Sequence, residues 1–157
     1  MILTKAGSYI VLCLSVLLLA ACASGTGMSS AHKQQLQQLT PAERDKLGNE
    51  TASIMRSRQL NTHKSGEISM QGIDYRARDD TFVYRMRIHN LASPNSLNRA
   101  QRSELHNQIQ RDFRRTICRD RTVGDMVRHG NYAIELRVTT RNGAQLIPPM
   151  RITKADC

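Results

Sequence analysis

The chain has 157 residues, 23 Lys and Arg against 13 Asp and Glu, a formal net charge of +10, 4% aromatic residues and no Trp. That length suits a single domain. In a cytosolic protein so basic a chain would point to nucleic acid, but the N-terminal residues direct this one out of the cytosol.

Lys5 gives a basic start, and residues 10–21 form an apolar run interrupted by Ser15. About a dozen apolar residues fall short of the ~20 that span a bilayer. A basic start, a short apolar core and small residues before a cut site describe a secretory signal. The run ends in Leu19-Ala20-Ala21-Cys22. These residues resemble a lipobox, the signal of bacterial lipoproteins, which implies cleavage before Cys22 and diacylglycerol on its sulfur. Ala23 follows, not Asp, which resembles the default outer-membrane address. The expected organisation is a signal peptide over residues 1–21, a lipidated N-terminus and flexible tether over 22–39, and an α+β domain over 40–157.

Residues 23–32 are small and polar, as a tether requires. The Gln-rich stretch 33–39 is compatible with a helix. Thr40-Pro41-Ala42-Glu43 is a sharper signal, with Thr as N-cap, Pro at the first helical position and Glu completing a capping box. A helix over residues 41–58 follows. Its apolar stripe, Leu47, Ile54 and Met55, is thin, which places it at the domain edge or makes its order depend on a partner.

Residues 67–75 read as a strand with a bulge at Gly72. Asp79-Asp80 makes a turn. In residues 81–89, Phe82, Tyr84, Met86 and Ile88 alternate with Val83, Arg85, Arg87 and His89. Strict alternation predicts a strand with one covered and one open face. A long helix over residues 98–118 repeats Leu105, Ile109, Phe113 and Ile117 along one face, which can pack on the apolar side of the sheet. Residues 119–129 read as a polar connection with at most one helical turn around Met126 and Val127, ended by Gly130. Residues 131–140 alternate again, Tyr132, Ile134, Leu136 and Val138 against Ala133, Glu135, Arg137 and Thr139. Asn142-Gly143 predicts a tight primed hairpin turn. Pro148-Pro149 assigns the returning strand to an edge or a bulge. The expected fold is α+β: an antiparallel sheet of about four strands, one face covered by the long helix, with a further N-terminal helix.

Cys13 leaves with the signal and Cys22 carries lipid, so Cys118 and Cys157 remain. Two thiols in an exported protein point to a disulfide, worth roughly 3–4 kcal/mol in the chain-entropy model. Two free thiols or part of a metal site are the other readings.

No catalytic constellation emerges. The five histidines are scattered without ligand partners, so no metal or cofactor is expected. There is no nucleophile elbow and no phosphate-binding glycine loop. The expectation is a binding protein, not an enzyme, without small-molecule substrate or nucleic-acid partner. Arg85, Arg87, His89 and Arg137 fall on the predicted open face and form a candidate basic binding face. Arginine suits that role because its planar fork pairs a carboxylate or phosphate twice. A solvated, aggregation-resistant surface is the alternative reading.

Phe113-Arg114-Arg115-Thr116-Ile117-Cys118-Arg119-Asp120, then Met126 to Ile134, and the closing Cys157 resemble the AspS (GspS-beta) type of pilotin, the outer-membrane lipoproteins of type II secretion systems. The resemblance covers the last third of the chain plus the lipobox. It implies a protein anchored on the periplasmic side of the outer membrane that grips the C-terminal segment of a secretin subunit in a groove beside the sheet and long helix, and pilots its localisation and assembly. The alternatives are a structural lipoprotein of a conjugation or type IV secretion apparatus, binding another envelope-complex protein, and an inhibitor or immunity lipoprotein.

Overall fold

The structure, a computed structural model, describes residues 28–59, 64–65 and 67–157. The expected signal peptide, the lipidation site Cys22 and the first residues of the tether lie outside the described residues. In chain order the elements are α1 (Ser30–Gln37), α2 (Pro41–Gln59), β1 (Lys64–Ser65), β2 (Ile68–Arg76), β3 (Thr81–Ile88), α3 (Arg99–Arg119), α4 (Val123–Gly130), β4 (Ala133–Thr140) and β5 (Met150–Ile152). Four longer strands and the two-residue β1 at one edge form one five-stranded sheet in the order β1-β2-β3-β4-β5. The α+β class is as expected from the sequence.

One pairing differs from the expected antiparallel sheet. β2–β3 and β4–β5 are antiparallel, but the inner strands β3 and β4 run parallel, in register from Thr81↔Ala133 to Ile88↔Thr140. A parallel pair needs a crossover of a dozen or more residues. Helices α3 and α4 are that crossover and return the chain to the end of the sheet where β3 begins, where the Ala133 N–H donates to the Asp80 carbonyl (3.0 Å).

The starts of the helices follow local chemistry. At the head of α2 the Thr40 N–H donates to Glu43 Oε2 (2.9 Å), and the Glu43 N–H donates to Thr40 Oγ1 (3.3 Å). The Thr40 backbone bond holds the Glu43 carboxyl below its usual range. A second reciprocal box, Asn98 with Gln101, opens α3 at 2.9 Å in both directions. In β2, Met70 faces Met86 and Gly72 faces Arg85, so Gln71 is the extra residue of a bulge. The 142–143 turn joins β4 to the returning chain, but of its residues only Gly143 takes positive φ (85°). It is therefore a longer glycine-bulge loop and not a two-residue primed turn, with the ladder resuming at Thr139↔Gln145.

Alternation decides which side of the sheet is covered. Ile73, Phe82, Tyr84, Ile134, Leu136, Val138, Met150 and Ile152 point to the helix side and pack with Leu36, Leu47, Ile117, Met126 and Val127. Each large side chain so buried contributes about 1.5–3 kcal/mol. Tyr75, Phe82 and Tyr132 form a ring cluster with centroids 5.4–6.2 Å apart.

Three segments depart from the sequence reading. Residues 28–39, expected to be the end of a tether, are part of the domain: Met28, Leu36 and Leu39 are buried, and the Met28 N–H donates to Asp125 Oδ2 (3.3 Å). Residues 123–130, expected to hold at most one turn, form the two-turn helix α4, which buries Met126 and Val127. Asn131, at φ 56°, ends this helix in place of Gly130. A Cβ on Gly130 would come within 2.7 Å of the Tyr132 ring, so packing, and not termination, requires the glycine. Helix α2 is packed near the β1 edge of the sheet. It lies on β2, because Gly48 lets its backbone meet the face of Tyr75, whose hydroxyl donates to Asp45 (3.2 Å) and Asp80 (2.5 Å).

Cys118 and Cys157 are disulfide-bonded, with Cα atoms 5.2 Å apart, and join the end of α3 to the chain beyond β5. Among the described residues, no helix is long and apolar enough to cross a membrane.

Candidate functional site

The two faces of the sheet carry different chemistry. On the helix side, α2 packs mainly on β2, whereas α3 packs mainly on α4 and β5. Between the two helices the core is incompletely covered. Met55 of α2, Met70 of β2, Met86 of β3, and Leu105, Ile109 and Phe113 of α3 are only partly buried, although all pack against the core. Tyr84 is the buried floor of this strip. Its hydroxyl reaches Met55 Sδ (3.4 Å) on one side, and its ring meets Phe113 edge-on at 6.2 Å on the other. Burial raises the Tyr84 phenol above its ordinary pKa, so it stays a neutral hydroxyl. Ile68, the only large hydrophobic classed as exposed among the described residues, lies on the same side, opposite Ile88. The strip can bind an apolar helix face or extended apolar side chains. Its three methionines are unbranched and can re-pack around different shapes.

The other face is open and ionic. At the end where β3 and β4 begin, Arg76 sits between Asp79 (2.7 Å) and Glu135 (2.8 Å), Arg151 pairs with Asp79 (2.6 Å) and Arg137 with Glu135 (2.6 Å). The Arg76 and Arg151 hydrogen bonds hold the Asp79 carboxyl well below the usual range against a burial penalty. Burial pushes the Glu135 carboxyl up, but hydrogen bonds from Arg76 and Arg137 more than offset it and leave it lowered. Asp79-Asp80 is thus a structural turn: Asp79 serves the open face, and Asp80 accepts from Tyr75 on the helix side.

Further along the open face, three of the four residues expected to form a basic face converge. Arg85 and Arg137 are direct partners in the parallel ladder, and Arg87 stands two residues beyond Arg85, opposite Thr139. They line a niche of about 480 Å³ with Gln71, Thr139 and Gln145, and no carboxylate lines it. Arg85 lies across Gly72 to reach Asp74 (2.6 Å). His89 does not join the niche; its ring bonds Ser69 Oγ (2.7 Å). The sequence assigns no site role to Met55, Met70 and Met86, which meet only through the sheet register and the seating of α2, or to Gln71 and Gln145, supplied by the bulge and the turn.

No protein-family model and no curated protein sequence matches the chain. Solved structures do match in fold. The type II secretion system pilotin AspS of Vibrio cholerae superposes with a TM-score of 0.52 at 16% identity, covering 81% of this chain and 97% of that one. The pilotin EpsS of the Vibrio vulnificus type 2 secretion system gives 0.54 at 14% identity, covering 82% and 97%. A Pseudomonas aeruginosa protein classed as secreted gives 0.50 at 9% identity, covering 73% and 96%. At these identities the likeness is one of fold.

Proposed function

We propose that this chain is a pilotin-like lipoprotein that binds the C-terminal segment of a secretin subunit in the apolar strip between α2 and α3, and carries it to the outer membrane through lipid on Cys22. The observation that carries this reading is the strip itself: Met55, Met70, Met86, Leu105, Ile109 and Phe113, half-covered on a domain whose other large apolar side chains are mostly buried. A strip of that kind suits an amphipathic helix presenting anchors one turn apart. The fold shared with two pilotins supports the same reading. The lipid supplies the second half of the function. Several acyl chains give stable anchoring where one does not, and anchoring converts a modest peptide affinity into delivery to one membrane.

The test is the location of secretin multimers in cells. With Cys22→Ser, multimers should be lost from the outer membrane while the protein still captures the secretin C-terminal segment in solution. Multimers remaining in the outer membrane at wild-type level would contradict the reading. Stoichiometric retention of this protein in the finished complex would favour a structural component instead.

A further inference from the structure

The geometry points to a second docking site on the open face: we propose that the Arg85–Arg87–Arg137 niche holds an acidic, extended segment of a partner protein. The arrangement is costly as surface. Arg85 and Arg137 stand directly opposite each other, and like charges so placed destabilise a ladder. Arg85 and Arg137 each have one carboxylate, Asp74 and Glu135, and Glu135 is shared with Arg76. Arg87 has none among the described residues, and its Nε is shielded from solvent without an acceptor. A ligand carboxylate in the niche would give Arg87 the charged partner it lacks and separate the facing charges, with Gln71, Thr139 and Gln145 as neutral hydrogen-bond partners around it.

Shape and position select the occupant. Arg85 and Arg87 are alternate residues of one strand, about 6.6 Å apart. That is also the spacing of alternate side chains in an extended peptide, so acidic residues at every second position match the niche. Phosphate headgroups share the charge but are not spaced along a chain, so the repeat of about 6.6 Å between the arginines favours a peptide over a headgroup. The niche itself is independent of the apolar strip, which lies across the sheet.

The probe is a fluorescent peptide of alternating Glu and Ser, with a Gln-for-Glu control, titrated into the full lipid-bearing protein in neutral detergent at low salt. The Glu peptide should bind and the Gln peptide should not. Arg87→Gln should weaken binding at least tenfold with an unchanged or higher Tm, because no protein contact is lost. Arg151→Gln, outside the niche, should bind as wild type. Three results would each overturn the proposal: no binding of the Glu peptide, equal affinity in Arg87→Gln, or Arg87-dependent binding to anionic phospholipid vesicles without peptide binding. Arg87→Gln should still capture the secretin segment, so failure here is distinguishable from failure of the strip.

Discussion

The helix side and the open side of one sheet show two ways of using the same three strands. On the helix side, β2, β3 and β4 present Ile73, Tyr84, Met86 and Leu136 to three-dimensional packing, with the strip between α2 and α3 only partly covered. On the open side the same strands present Asp74, Arg85 and Arg137 around the buried Glu135, held by a lattice of ion pairs that is balanced at one end and cationic at the other. Stability comes from the first face. The second contributes little per exposed pair and is the face whose charge can be changed at small cost. Each face has one region less covered or less neutralised than the rest, and those two regions are where we propose binding.

The disulfide is the strongest way to separate the faces. Replacing Cys118 and Cys157 together with Ser should lower stability by about 4 kcal/mol in the chain-entropy model, read by urea denaturation. Amide exchange should show α3 loosening first while the β2–β3–β4 ladder stays protected, since the bond holds the end of α3 and not the sheet. Uniform loss of protection would contradict that division.

Gly48 gives the next largest effect. Helix propensity alone predicts that Gly48→Ala stabilises α2 by about 1 kcal/mol. The Tyr75 ring occupies the space of the new methyl, and overpacking costs about 1–3 kcal/mol. A net loss of about 1 kcal/mol in urea denaturation is expected; a gain would mean that α2 is not seated on Tyr75.

Acid should act on the open face, beside a contribution from the Glu43 capping box. Asp79 and Glu135 have lowered folded-state pKa values. Their contribution is therefore complete above their unfolded values of about 4 and is lost as pH falls through and below them. The urea midpoint should drop between about pH 5 and pH 3, and Arg76→Met should flatten the drop by removing the shared partner. An equal slope in the variant would show that these pairs do not set the acid response.

How much of this was legible in the sequence follows the same division. β3 and β4 were readable because one face is dry and the other wet, so alternation is strict, and Arg85, Arg87 and Arg137 could be assigned to one face before any register was known. Their meeting in one niche required the parallel pairing of Arg85 with Arg137, which an expectation of antiparallel strands does not supply. Leu105, Ile109 and Phe113 were readable from their spacing; Met55 and Met70 reach the strip only through the seating of α2 and the bulge at Gln71. The burial of α1 and α4 was not readable. The first is polar apart from Ala31 and Leu36. The second carries only the short stripe Val123, Met126 and Val127, and buries Asp125 by pairing it with Arg128 (3.0 Å) and Lys33 (3.4 Å).

We propose that the half-covered strip, and not the arginine face, receives the secretin segment. The direct measurement is calorimetric titration of the secretin C-terminal segment into wild type, Ile109→Asp and Arg87→Gln. Ile109 is only partly buried, so Ile109→Asp should fold, which its circular dichroism would verify. We expect binding weakened at least tenfold in Ile109→Asp, about 1.4 kcal/mol, and unchanged in Arg87→Gln. Wild-type affinity in a folded Ile109→Asp protein, or loss confined to Arg87→Gln, would contradict the account.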